Sequence, residues 1–192
     1  AKNLGIEEIL NVKPDILGFA FLDARDRLQP GFVAACESVL RQCPEVGLVS
    51  CWVSHFKAKA RIWIRPCPSF PYQWLSNDAA PFSVVRTEAL CNGGKFRPVM
   101  SHGYENWDLF NAVMVAGWVA VTIPDILGDR QVMEDPVLHM NSARVFGRMR
   151  REILERFPDV FTRDAKDIAL LAVTDIACFQ NDRGVLFRNY VA

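Results

Sequence analysis

"ILGFAFLDARDRLQP" (Ile16–Pro30) sets an unbroken apolar run against an abrupt cluster of charge. Ile16 to Leu22 is too short for a typical helix and is apolar on both faces. That pattern fits a central strand of a parallel sheet, covered above and below. The run stops at Asp23, and Arg25, Asp26 and Arg27 follow at once. Ligands of open α/β sheets bind beyond the carboxyl ends of the strands. Asp23, Arg25 and Asp26 are therefore candidates to hold a polar ligand, such as a phosphate group with its cation. The plainer alternative is a solvated strand-to-helix turn, with Asp26 paired to Arg25 or Arg27. Exposed pairs contribute only about 0–1 kcal/mol, and this stretch alone favours the plainer alternative.

Working outward, Ala1 to Leu10 reads as a helix, with Leu4, Ile9 and Leu10 as core contacts. Pro30 opens a second helix whose Phe32, Cys36, Val39 and Leu40 share one face, and Pro44 stops it. "VGLVSCWV" (Val46–Val53) is a β-rich run. The first fifty or so residues thus alternate helix and strand, the rhythm of an α/β sheet. Ser54 to Pro81 breaks it with four prolines among Trp63, Phe70, Tyr72 and Trp74. Connections this long are functional or disordered, and the aromatics argue against simple disorder. "FSVVR" (Phe82–Arg86) is a short strand. "TEALCNGG" is a short helix capped by Thr87 and closed by Asn92, Gly93 and Gly94. "ENWDLFNAVMVAG" is a helix with Leu109, Phe110, Val113 and Met114 on its apolar face, and "WVAVTIP" is a strand. Val145, Met149, Ile153 and Phe157 mark an amphipathic helix carrying a Glu152–Arg156 pair. Asp164 to Phe179 reads as a further helix.

The 192 residues suffice for one large domain, and 51% hydrophobic against 23% charged residues is a globular balance. Lys+Arg 22 against Asp+Glu 22 leaves no net charge. That removes the electrostatic footprint of a nucleic-acid binder, although the basic aromatic loop could stack on single strands. No apolar run reaches the roughly 18 residues a membrane span requires. The six cysteines are scattered with no C-x-x-C pair, which reads as buried free thiols rather than a disulfide framework or zinc site.

"SHGYENWDLF" supplies a second charged cluster. Glu105 and Asp108 stand at i,i+3 on one side of a helix start, where the helix dipole favours carboxylates. Capping explains them fully. The functional alternative is a general base, since an ordinary carboxylate has a pKa of about 4 and is ionised at neutral pH. His102 lies beside this cluster, while His55 and His139 are remote from it.

The order of these pieces resembles the family-2 glycosyltransferases, which have the GT-A nucleotide-sugar-binding fold, a mixed α/β sheet flanked by helices. "AKNLGI" resembles the family's A-R-N-x-G-I helix. "FLDARDRLQPGF" resembles its strand, D-x-D turn and proline-led helix, and "PEVGLVS" the strand that follows. "FSVVRTEALCNGGKF" resembles the strand, arginine and G-G-F segment before the acceptor site. "YENWDLFNAVMVAGWVAVTIPDILGDR" resembles the E-D-W-D-L helix, its following strand, and a downstream leucine and arginine. The ordered match covers roughly the first 130 residues.

The resemblance implies transfer of a sugar from a nucleotide-diphosphate donor to the hydroxyl of a glycan, lipid-linked or small-molecule acceptor, with inversion. It places Lys2, Asn3, Asp23, Arg25 and Asp26 on the donor side. Gly94, His102, Trp107 and Arg130 fall at acceptor or loop positions. It implies a divalent metal, manganese or magnesium, at Asp23 and Asp26. Arg25 occupies the usual metal-ligand position, and a guanidinium there could neutralise the diphosphate directly. Asn106 occupies the base position, so Glu105 or Asp108 has to substitute. Family members also begin with strands upstream of the A-R-N helix. Residues 1–192 thus resemble a partial domain: 1–53 donor-side, 54–81 a connecting loop, 82–130 acceptor-side, 131–192 a helical tail. An upstream part of the same chain is an expected partner. The expected location is the cytoplasm or the inner face of the membrane. The alternative is a non-catalytic GT-A-like module inside a larger glycan-assembly protein.

Overall fold

The computed structural model describes residues 1–56, 61–70, 72–74, 77–100, 103–131, 136–160, 162–165, 167, 178–180 and 186–188, by backbone alone at 61, 136–144, 178–180 and 186–188. Its elements are α1 (Lys2–Val12), β1 (Gly18–Ala20), β2 (Asp26–Leu28), α2 (Phe32–Gln42), β3 (Val46–Phe56), β4 (Arg61–Trp63) and β5 (Val84–Arg86). There follow α3 (Thr87–Gly93), α4 (Glu105–Val115), β6 (Val119–Gln131), α5 (Pro136–Arg156), β7 (Cys178–Gln180) and β8 (Leu186–Arg188). The architecture is a curled mixed sheet flanked by helices. Its strand path is β1-β5-β3-β4-β8-β7, and β6 joins it by pairing with β3 and β2.

The core has two sides because the sheet is covered on both faces. Phe19, Leu48 and Val85 point to one cluster, with Ile6, Leu90, Leu109, Phe110 and Val113 from the helices on that side. Their strand neighbours Val49 and Val84 point the other way, into a cluster with Phe32, Cys36 and Leu40 of α2. The period of two along each strand does this sorting, and each buried aliphatic or aromatic side chain stabilises by about 1.5–3 kcal/mol. A third cluster of Met100, Trp107, Met149 and Ile153 fastens α5 to α4. On β6, Gly128 faces the Phe82 ring so closely that a Cβ there would overlap it.

Several sequence expectations change. The apolar run around β1 is covered on both faces, with Leu17 on the α2 side and Phe19 on the other. Yet β1 is not a strand among parallel neighbours. It pairs antiparallel with β5, Phe19 opposite Val85, and β5 separates it from β3. In α1 the inward residues are Ile6 and Leu10, while Leu4 and Ile9 are exposed. Asn3 is consistent with this orientation: it clamps the Phe96 backbone, donating to its carbonyl and accepting from its N–H.

Thr87 is the first residue of α3 rather than its cap, and its hydroxyl donates to the Ile16 carbonyl. Within the expected loop, β3 runs on to Phe56, β4 pairs with it, and Trp74 and Gln73 are buried. The loop aromatics are therefore partly core, with Phe70 packed on Trp74 at 4.5 Å. Beyond α5, the described residues include strands β7 and β8, where helix was expected. Phe179 and Phe187 are paired in that ladder, and aromatics favour strands. Cys36 and Cys51 are buried thiols, whereas Cys67 and Cys91 are exposed. No described helix is long and apolar enough to cross a membrane.

Candidate functional site

Strand directions define one rim. β1 and β3 are both antiparallel to β5, and β6 is parallel to β3. The carboxyl ends of β1, β3 and β6 therefore point the same way; that of β1 lies beside the amino end of β5, while β3 and β6 run on together past it to Phe56 and Gln131. Several of the residues singled out in the sequence fall into two groups on this side of the sheet.

The first group is the "DARD" turn. Asp26 N–H donates to the Asp23 carbonyl at 3.0 Å, which closes the turn and sends the chain into β2. Asp23 and Arg25 are exposed. Asp26 points inward, with no side-chain exposure at all. Its partner is neither Arg25 nor Arg27 but Arg130, opposite it on β6, with N···O at 3.6 Å. That is an ion pair too long to be a hydrogen bond, and both Asp26 oxygens lack a hydrogen-bond partner. Burial raises the Asp26 pKa, Arg130 opposes this, and Asp23 adds to it. Arg27 leaves the group and lies over the Phe56 ring.

The second group joins the two ends of the motif order. Lys2 Nζ donates to Glu105 Oε1 at 2.8 Å and to Asn106 Oδ1 at 3.0 Å. The same ammonium lies 4.8 Å from the Phe96 ring centre and 5.7 Å from that of Phe21. Asn106 Nδ2 donates to the Pro81 carbonyl at 2.8 Å, just before β5. Asn106 thus uses both ends of its amide. Glu105 has one oxygen on Lys2, and its side chain is about one-third exposed. Tyr104, which precedes it, is held at φ 63°, a conformation rare for an aromatic residue.

Asp108 stands elsewhere, under the helix. It is 1% exposed and meets two guanidiniums: Arg97 at 2.6 and 3.0 Å, and Arg156 at 2.7 Å. Arg97 also donates to the Glu152 carbonyl, and Arg156 to that of Gly93. Arg156 is therefore committed to Asp108 instead of the expected helical pair with Glu152. Burial lowers the Arg156 pKa, Asp108 opposes this, and Arg97 adds to the lowering. Trp107 is buried, with its Nε1 donating to the Gln73 carbonyl and its ring stacked on Phe146. Gly94 ends α3 at φ 97°, beneath Arg156. His102 lies outside the described residues, and His55 packs against Trp63.

Three participants escaped sequence reading: Arg97, Arg156 and the Pro81 carbonyl. A carboxylate flanked by Trp107, Leu109 and Phe110 is itself a signal, because a buried charge requires a partner. Nothing in the spacing says which arginine answers it. Arg86 has a similar hidden role. Its guanidinium donates to the carbonyls of Val46, Leu40 and Cys43, two of which belong to the last turn and cap of α2.

A divalent metal fits this turn poorly. Asp23 and Asp26 are opposed by Arg25 and Arg130, both of which act on Asp26. An oxygen-seeking dication favours uncompensated carboxylates. Among the described residues no three His, Cys, Asp or Glu side chains converge. In comparisons with known proteins, no family model matches the chain, and no curated protein does.

Proposed function

We propose that this chain is the catalytic part of a glycosyltransferase that moves a sugar from a nucleotide-diphosphate donor to an acceptor hydroxyl. The observation that carries the reading is the Lys2–Glu105–Asn106 group at the rim where the Asp23 turn also emerges. Segments 103 residues apart in the chain meet there, and in this reading that meeting marks the ligand site, since open α/β sheets take their ligands beyond the strand ends. The ordered motif resemblance supplies the reaction.

In this reading Glu105 is the general base. Asn106 has no lone pair basic enough for the task, and its amide is already engaged at both ends. Asp108 holds two guanidiniums together and is closed to an acceptor. Glu105 accepts the proton of the acceptor hydroxyl as that oxygen bonds to the anomeric carbon. The bond from that carbon to the diphosphate breaks, and its electron pair leaves with the phosphate oxygen. Lys2 keeps Glu105 aimed through the 2.8 Å contact to Oε1.

The test is a panel of UDP-, GDP- and dTDP-sugars, read for binding and for donor hydrolysis or transfer. Absence of both across the panel sinks the reading. The Asn106 amide, engaged at both its oxygen and its nitrogen, favours one alternative, a non-catalytic nucleotide-sugar-binding module. Binding without turnover, and turnover created by Asn106→Asp, would support that alternative.

A further inference from the structure

We infer that the diphosphate of the ligand is met by Arg130, held in place by Asp26, and that no divalent cation stands between protein and phosphate. The inference rests on the nucleotide-sugar reading and reassigns Arg130 from the acceptor side to the donor side.

Asp26 is the strongest anomaly in the molecule. Its carboxylate has no exposed surface and neither oxygen is hydrogen-bonded. Buried carboxylates of this kind need a reason, because leaving acceptors unsatisfied costs about 1–3 kcal/mol. The reason lies across the ladder. Arg130 stands opposite Asp26 on β6, at 3.6 Å, with its side chain 28% exposed. At that distance the carboxylate attracts the guanidinium without occupying its N–H groups. Among the described residues the Arg130 guanidinium has no hydrogen-bond partner, while its backbone belongs to the ladders with β2 and β3. Its planar fork of donors is drawn toward Asp26 and remains partly exposed, and such a fork matches two phosphate oxygens at once.

Gln131 N–H donates to the Arg25 carbonyl at 3.0 Å, which stitches the turn to the strand that carries Arg130. Arg25 adds a second exposed positive charge at the turn. A dication entering here would meet the positive charge of two guanidiniums. A diphosphate meets donors already in place, with no metal shell to assemble.

The experiment is isothermal titration of UDP, GDP, dTDP and inorganic pyrophosphate into the protein, once in EDTA and once in manganese. Manganese binding is followed separately by electron paramagnetic resonance. At least one of these diphosphates is expected to bind in EDTA, with affinity changed less than about twofold by manganese. Arg130→Gln removes the fork but leaves Asp26 buried beside a neutral amide and can unfold the ladder. The double variant Arg130→Gln/Asp26→Asn restores a neutral pair. With unchanged far-UV circular dichroism, it is expected to weaken diphosphate binding at least about tenfold. Binding seen only with manganese overturns the inference and leaves the nucleotide-sugar reading standing. Binding that survives the double variant also overturns it, since Arg130 is then only an ion-pair partner. No diphosphate binding under either condition overturns both.

Discussion

Lys2 and Glu105 are 103 residues apart in the chain and 2.8 Å apart in the fold. That one ion pair connects the first turn of α1 to the first turn of α4 across the rim of the sheet. Both side chains are about one-third exposed, so its worth to stability is small, about 0–1 kcal/mol. Its consequence is geometric: it fixes where the Glu105 carboxylate stands. Lys2→Met is expected to leave the urea midpoint nearly unchanged. It is expected to lower transfer more than donor binding, read as kcat falling with little change in the donor dissociation constant.

Asp108 works in the opposite way. It is buried between Arg97 and Arg156, and its removal leaves two guanidiniums short of their counter-charge. Asp108→Ala is expected to destabilise the fold by about 3–5 kcal/mol, seen as a large drop in the urea midpoint. Loss of activity without loss of stability would show instead that Asp108 acts at the reacting groups.

Arg86 is a cap supplied from another strand. Its guanidinium takes up carbonyls at the end of α2 that no helical N–H can reach. Arg86→Met is expected to cost about 2–3 kcal/mol, with amide exchange accelerating first in the last turn of α2 and the start of β3.

Asp26 makes stability depend on pH in the acid range. Burial raises its folded pKa above the ordinary 3.8, so the folded state holds that proton more tightly than the unfolded state. Below 3.8 both states are protonated and the contribution is complete. It is lost as pH rises from there through the raised folded value, and is absent above it. Asp26→Asn is therefore expected to be more stable than the parent at neutral pH, with the difference vanishing toward pH 3. Urea midpoints of both proteins measured against pH check this, and a gap that widens toward acid would contradict it.

Much of the fold was legible because periodicity is local. The β-rich run Val46–Val53 reads directly from the sequence, and so does the α2 face of Phe32, Cys36 and Leu40, whereas the opposite facing of Leu48 and Val49 comes from the fold. Partner choice was less legible. The apolar run at β1 announces two covered faces but not that antiparallel β5 lies beside it. Gly128 hints at a close approach, and only the fold supplies Phe82 as the cause. Gly128→Ala is accordingly expected to destabilise by about 1–3 kcal/mol, the usual cost of overpacking. At the site, the sequence located the turn and the acidic helix start. It could not say that Asp26 faces Arg130, since that pairing depends on a β2–β6 register set 100 or so residues downstream. Nor could it divide labour between Glu105 and Asp108, which differ in burial and not in chemistry.

The most direct test compares Glu105→Gln with the parent protein, measuring nucleotide-sugar binding and sugar transfer side by side. The substitution keeps the shape and an acceptor oxygen for Lys2 but removes the base. Donor binding is expected to persist while transfer falls by about 10²–10⁴-fold, the usual contribution of a general base. Transfer that survives Glu105→Gln intact would contradict the assignment of Glu105 as the base.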